Sequence, residues 1–289
     1  MPEIGISSEN HFYFGDLQSA ISDVGPRGSS THRYYCTVRP YILAESTWEE
    51  VRQAPFEVAV LPWGATEAHN RHLPYATDTI QSEAVAAAAA RFAWDRGARV
   101  VVLPAVPFGV QTGQREVPLC LNMNPGTQLA VIRDILPALR DHGVRKLVIL
   151  NGHGGNDFRS IIRELSSEAG LFLCLVNWYG CVPPAPHFEE PGDHAGELET
   201  SVMQHVAPAL VRPLSIAGSG TVRPFRIAAL REGWAWSPRR WVEATEDTGV
   251  GNPRAASGEK GERYLAAVAT RIGEFLVDLA AADPGSMYE

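Results

Sequence analysis

Residues 57–78 read E-V-A-V-L-P-W-G-A-T-E-A-H-N-R-H-L-P-Y-A-T-D. The first five, 57–61, are short and nearly all apolar. That composition fits a strand buried on both faces of a parallel sheet better than a half-exposed one, which would alternate. Three more runs share it: 99–103 (R-V-V-V-L), 146–150 (K-L-V-I-L) and 171–176 (L-F-L-C-L-V). Between them lie amphipathic or Ala-rich stretches at about 79–96, 127–142 and 157–169, which predict helices. Strand and helix in this rhythm mean βαβ units, so the fold class is α/β around a central, mostly parallel sheet. Further helices are expected at about 196–207 and 258–282.

The second half of the quoted run is chemically different. Glu67, His69, His72 and Asp78 place four oxygen and nitrogen donors within twelve residues, directly after the first strand. Such donors hold divalent metals, and their density points to a metal site. Open sheets bind ligands at the carboxyl ends of their strands. N-G-H-G-G-N (151–156) follows the third strand, so His153 belongs on the same rim as the first cluster. Its glycines allow a sharp turn at the strand tip. The run has neither G-x-G-x-x-G nor G-K-[ST], which disfavours a phosphate loop. A third cluster, G-D-H-A-G-E-L-E-T-S (192–201), supplies Asp193 and His194 on a loop and Glu197 and Glu199 at a helix start. Two residues apart, the glutamates cannot share a helix face, so one is expected to point inward and the other outward.

A formal charge of −8 and no extended Lys/Arg cluster argue against a nucleic-acid or anionic-membrane surface. The nearest approach to a cluster is the Arg239-Arg240 pair. No apolar stretch reaches membrane-spanning length, and the first residues lack a secretory pattern. Cys36, Cys120, Cys174 and Cys181 form no C-x-x-C pair, and the pattern suits a reducing, cytoplasmic compartment. Residues 1–44 are polar and turn-rich, an N-terminal extension or oligomer arm, with the domain that carries the three clusters at 45–289. The Gly-, Pro- and Trp-rich stretch 217–256 reads as a long excursion near the active face.

W-G-A-T-E-A-H-N-R-H-L-P-Y-A-T-D, N-G-H-G-G-N and D-H-A-G-E-L-E-T-S together resemble the signature blocks of the creatininase (creatinine amidohydrolase) family. T-G-V-G-N-P-R-A-A-S-G-E-K-G-E-R near the C-terminus resembles its closing segment, and the likeness spans roughly residues 40–282. The resemblance implies a three-layer α/β/α fold with two divalent ions, Zn or Mn with Fe possible, at the sheet's carboxyl edge. By similarity Glu67, His69, Asp78 and His153 are metal ligands, with Asp78 bridging, and His194 is the proton-transfer catalyst. Creatininase has a glutamate two residues after the histidine of the second block, where this chain has Gly155; Glu199 matches the ligand used instead. His72 is then a support or a substrate contact rather than a ligand. A homo-oligomer, commonly a hexamer, is also implied.

Substrate contacts are expected from Asn70 and Arg71, where relatives usually have Gly-Pro, and from Gln111 and Gln114 after the second strand. His72, Trp178 and Asp193 complete that set. The leading reading is a metal-dependent hydrolase of a small cyclic or carbonyl-activated substrate, most simply at a C–N amide bond. The alternatives are hydrolytic C–C opening of an inosose-like cyclic ketone and formamide deformylation. A cofactor-maturation peptidase and a non-catalytic metal-binding protein stand behind them.

Overall fold

The structure is a computed structural model that describes residues 38–288. Most of the predicted arm at 1–44 lies outside the described residues. Within 38–44, Tyr41 and Ile42 are buried, and Ile42 bridges Val102. Four strands form one parallel sheet: β1 (Val58–Trp63), β2 (Val100–Val102), β3 (Lys146–Asn151) and β4 (Phe172–Asn177), in spatial order β2-β1-β3-β4. β1, β3 and β4 run one or two residues past the ends that composition suggests. Trp63 pairs with Asn151 and Asn151 with Asn177, so the ladder continues through residues that are not aliphatic.

The helices are α1 (Trp48–Val51), α2 (Thr77–Trp94), α3 (Pro125–Asp141), α4 (Phe158–Leu165), α5 (Glu197–Val206), α6 (Ala228–Glu232), α7 (Trp241–Ala244) and α8 (Gly258–Ala281). Alternate strand residues feed two separate cores, as a period of two demands. Val58, Val60, Val100, Val102, Val148 and Leu150 pack against α2, α5 and α8. Ala59, Leu61, Val101, Leu147 and Ile149 pack against α3 and α4. The sheet is therefore sandwiched between two helical layers, the three-layer α/β/α arrangement.

Local sequence explains the main helices. The stretch A-V-A-A-A-A-A at 84–90 carries the best helix former through the middle of α2. Pro125 opens α3 at a position where its missing N–H costs nothing. Ser257 caps α8 by accepting the Lys260 N–H at 3.2 Å. No helix among the described residues is long and apolar enough to cross a membrane.

Strand order positions the site. The chain leaves β1 for β2 on one side, then returns to β3 on the other, so its direction of winding reverses between β1 and β3. A crevice opens at the carboxyl ends of such neighbours. The Gly152 N–H donates to the Trp63 carbonyl at 2.9 Å and joins the two tips. A Cβ at Gly152 would stand 2.1 Å from Ser82 Oγ and 3.1 Å from the Asp78 carbonyl. Only glycine lets the first turns of α2 settle on this rim and carry Asp78 into the crevice.

Candidate metal centre

Glu67 and His69 come from the loop after β1, Asp78 from the first turn of α2, His153 from the turn after β3 and Glu199 from the first turn of α5. Asp78 sits where the positive end of the helix dipole favours a carboxylate. Its Oδ1 lies 2.9 Å from His69 Nε2, and its Oδ2 lies 3.0 Å from His153 Nδ1. Glu67 Oε1 is 2.9 Å from the same His153 nitrogen, and Glu199 Oε2 is 3.8 Å from His69 Nε2. Two triads result, Glu67–Asp78–His153 and His69–Asp78–Glu199, and each has its ligand atoms within 4.8 Å of one another. Asp78 gives one oxygen to each. A third group at the same spacing is Glu67, His69 and His194.

Each imidazole is fixed from behind. His69 Nδ1–H donates to the Glu67 carbonyl at 3.1 Å, His153 Nε2–H to the Val110 carbonyl at 3.0 Å and His194 Nε2–H to the Ala68 carbonyl at 2.8 Å. The opposite nitrogen of each ring faces the carboxylates. Backbone carbonyls that take one ring proton fix the tautomer and orientation of a ligating histidine. The Gln114 amide donates to Glu67 Oε2, leaving Oε1 for the centre. The Ala195 N–H donates to Glu199 Oε2 at 2.5 Å.

The donor set fits a cation. Asp78 Oδ2 is buried and has no hydrogen-bond partner among the described residues, although His153 Nδ1 is close. A buried carboxylate oxygen without a partner is costly unless a cation compensates it. Carboxylate and imidazole donors without thiolate suit Zn²⁺, Mn²⁺ or Fe²⁺.

In the metal-free protein, protons substitute for part of that charge. Burial alone would push the His69 imidazole down. The charge and hydrogen bond of Asp78, then the charges of Glu199 and Glu67, outweigh it and hold the group up to about 10. The same balance, led by burial and overcome chiefly by Glu67 and Asp78, puts His153 well above its ordinary value. Burial would raise Asp78, yet the charge of His69, the close approach of the His153 ring and the hydrogen bond from His69 hold it low. Glu199 moves the other way, raised by burial that His69 and His194 only partly offset. An imidazole held near 10 in the fold and near 6.5 when unfolded keeps its full stabilising effect below pH 6.5 and loses it as pH rises toward 10. Thermal melts of chelator-treated protein should therefore show the midpoint falling from pH 6.5 to 10. A flat midpoint across that window would show that His69 carries no such proton.

The remaining expected site residues divide. Gln111, Gln114, Asp193 and His194 line a cleft of about 460 Å³ together with Glu67, Asp78, His153 and Glu199. Gln111 is 4% exposed, and neither atom of its carboxamide has a hydrogen-bond partner among the described residues. Asn70, Arg71, His72 and Trp178 do not line the cleft. Asn70 is left-handed (φ 54°), and its side chain holds Gly218 by accepting the Gly218 N–H at 2.8 Å. It organises a loop rather than facing the cavity. The neighbouring Arg71 is exposed. His72 is fully buried, with Nε2 2.8 Å from Thr200 Oγ1. Burial first, and then the neighbouring His69 charge, push His72 down to about 4, against a smaller pull from Asp247. Trp178 is 1% exposed in the core, and its Nε1 lies behind Gly152.

Glu197 corrects the one-in, one-out expectation for the glutamate pair. It is fully buried and accepts from Lys260 Nζ at 2.5 Å and from the Glu189 and Glu190 N–H groups at 3.0 and 2.8 Å. α5 is covered on both sides, by the metal donors and by the start of α8, so both glutamates point inward in different directions. Thr112, Trp236, Arg239 and Trp241, which the sequence did not place among the expected substrate contacts, also line the cleft. Trp241 meets the His194 ring edge-on, with centroids 4.7 Å apart. Its only sequence signal was its place in the Trp-rich excursion.

A buried nitrogen and oxygen donor cluster at the switch point of a parallel sheet, opening into a cleft, is the arrangement of a metal-binding protein of the three-layer α/β type. The family model for creatininase (creatinine amidohydrolase) matches residues 44–276. The mycofactocin precursor peptide peptidase of Mycobacterium tuberculosis (strain CDC 1551 / Oshkosh) is 30% identical over 232 residues, covering 72% of this chain and 80% of that protein. The creatinine amidohydrolase of Pseudomonas putida is 30% identical over 195 residues, covering 58% and 73%. A crystal structure of a protein assigned as a creatinine amidohydrolase from Bacteroides fragilis NCTC 9343 superposes with a TM-score of 0.81. It is 44% identical and covers 86% of this chain and 99% of that one. The chain belongs to the creatininase family of metal-dependent hydrolases.

Proposed function

We propose that the chain hydrolyses a C–N amide bond in a small molecule, with two divalent ions, Zn or Mn, held by Glu67, Asp78 and His153 and by His69, Asp78 and Glu199. The observation that carries this reading is the placement of Asp78, one oxygen toward each triad. Bound ions of this kind activate water at neutral pH and polarise a carbonyl.

The chain's own groups supply the rest. Gln114 holds Glu67, and the three backbone carbonyls hold the imidazoles, so the donors need no reorganisation when substrate arrives. Gln111 offers an unpaired N–H donor and carbonyl acceptor to an amide or hydroxyl of the substrate. His194 Nδ1 faces the centre 3.8 Å from Glu67 Oε1, and its other nitrogen is pinned to Ala68. It takes the proton that water gives up and delivers it to the leaving nitrogen as the C–O bond forms and the C–N bond breaks. Trp236 and Trp241 wall the cleft.

A second reading is cleavage of a short peptide, also a C–N hydrolysis. It is favoured by the second cavity that shares a wall with the cleft and by the peptidase name of the mycobacterial relatives. The test is Mn- or Zn-loaded protein assayed on cyclic amides, formamides, short peptides and inosose-like ketones. A new amine with a new carboxylate is expected. Formate release would select deformylation, and ring opening without an amine would select C–C cleavage. Glu67→Gln should lose metal and turnover together; full metal content with full turnover would end the two-ion reading. Assembly as a homo-oligomer, a hexamer by family resemblance, is part of the same proposal, and sedimentation of the full chain reads it.

A further inference from the structure

Residues 222–240 hold five arginines against one glutamate, in a chain whose formal charge is −8. In sequence Arg223, Arg226, Arg231, Arg239 and Arg240 are spread out, but the fold gathers all five around one cavity of about 720 Å³. Phe225, Leu230, Ser237, Pro238 and Arg239 line both this cavity and the metal cleft, so the two spaces share a wall.

Carboxylates neutralise three of the five. Arg223 Nη2 lies 2.7 Å from Glu246 Oε1, Arg239 Nη2 3.0 Å from Asp193 Oδ2 and Arg240 Nη2 3.0 Å from Glu116 Oε1. Arg240 also pairs with Glu243. Arg226 and Arg231 have no carboxylate partner among the described residues. Arg231 is nonetheless held in place, because its Nη1 donates to the Phe225 carbonyl at 3.0 Å. A guanidinium anchored by a neutral carbonyl keeps its full charge and its remaining N–H donors for another partner. Arginine's planar fork matches carboxylate and phosphate oxygens two at a time. Its location also tells against a merely solvated basic face. The uncompensated charge lies beside a wall of the catalytic cleft, and Arg239 links that wall to Asp193 within the cleft.

We propose that this cavity binds the anionic end, a phosphate or a carboxylate, of the substrate whose amide lies at the metal donors. Arg226 and Arg231 are the anion's partners, and Ser237 supplies a hydroxyl from the shared wall. The proposal rests on the hydrolase reading of the cleft and narrows its substrate to a molecule with an anion at one end and an amide at the other.

The experiment is calorimetric titration of the metal-loaded full chain with ribose 5-phosphate against ribose, and with glutarate against glutaramide. At least one anion should bind about tenfold or more tightly than its uncharged counterpart, and whichever does so names the anion. Arg226→Gln, at an exposed side chain, should weaken that binding by about tenfold, and so should Arg231→Gln. His153→Ala, which removes a metal donor, should leave it in place. Equal binding of charged and uncharged members of both pairs would overturn the proposal. So would binding lost in His153→Ala and kept in Arg226→Gln, because the anion would then sit at the metal centre. Amide hydrolysis is scored separately, so absent turnover counts against the cleft reading while the titration decides the cavity.

Discussion

Asp78→Asn should empty both triads at once and lower turnover by roughly 10³-fold, the ratio that about 4 kcal/mol of lost transition-state stabilisation produces. The two oxygens of Asp78 face different imidazoles, at 2.9 Å from His69 Nε2 and 3.0 Å from His153 Nδ1. No other carboxylate belongs to both triads. Asparagine keeps the shape and offers one weak oxygen ligand, but it removes the charge that two adjacent cations need between them. The fold should survive, because the asparagine amide still fits the first turn of α2 and the buried Ser82 Oγ still bonds to the backbone carbonyl of residue 78. Metal analysis by mass spectrometry beside circular dichroism checks this. One full equivalent of tightly held metal in the D78N protein would mean that the two triads do not share their central ligand.

Gly155→Ala should weaken metal binding by about 10- to 100-fold, although Gly155 is no ligand. A Cβ at Gly155 would stand 2.3 Å from the Val110 carbonyl oxygen and 2.5 Å from His153 Nε2. Those two atoms form the 3.0 Å hydrogen bond that turns His153 Nδ1 toward Glu67 and Asp78. Neither can retreat easily, since one is backbone and the other a ring that is itself required. The position also bears on the resemblance to creatininase, which has a glutamate at the equivalent place. Gly155→Glu should not recover a ligand here, because the methylene that would carry the carboxylate has no room, while Glu199 already reaches His69 from α5. Competition with a chelating dye measures both variants. An alanine variant with unaltered metal affinity would show that the contact relaxes at no cost.

The sequence carried the sheet and the donors further than it carried the walls. Buried parallel strands announce themselves by composition, and the three blocks that supply Glu67, His69, Asp78, His153, Glu199 and His194 lie directly after strands or at a helix start. Alternation along β1 could not show where the aromatic lining would come from. Trp178 stands at a strand end and looks suited to a pocket, yet it is buried, and Trp236 and Trp241 arrive from the excursion instead. Asn70 serves its loop rather than the cavity: it takes a left-handed conformation and ties the loop to Gly218 and to Thr248, whose hydroxyl accepts the Asn70 N–H at 3.0 Å, while nothing in the structure explains Arg71. The arginine cavity had no readable period, because its members are brought together by an irregular chain path rather than by one helix face or strand.

The three carbonyls of Glu67, Ala68 and Val110 that take the ring protons of His69, His194 and His153 belong to the main chain. No exchange of a single side chain can delete them. The poise of the imidazoles is thus written into the route of the backbone, whereas the lining from Gln111, Trp236 and Arg239 is made of side chains. Such a division lets a lineage trade one substrate for another by editing the walls while the ion-holding chemistry is inherited intact.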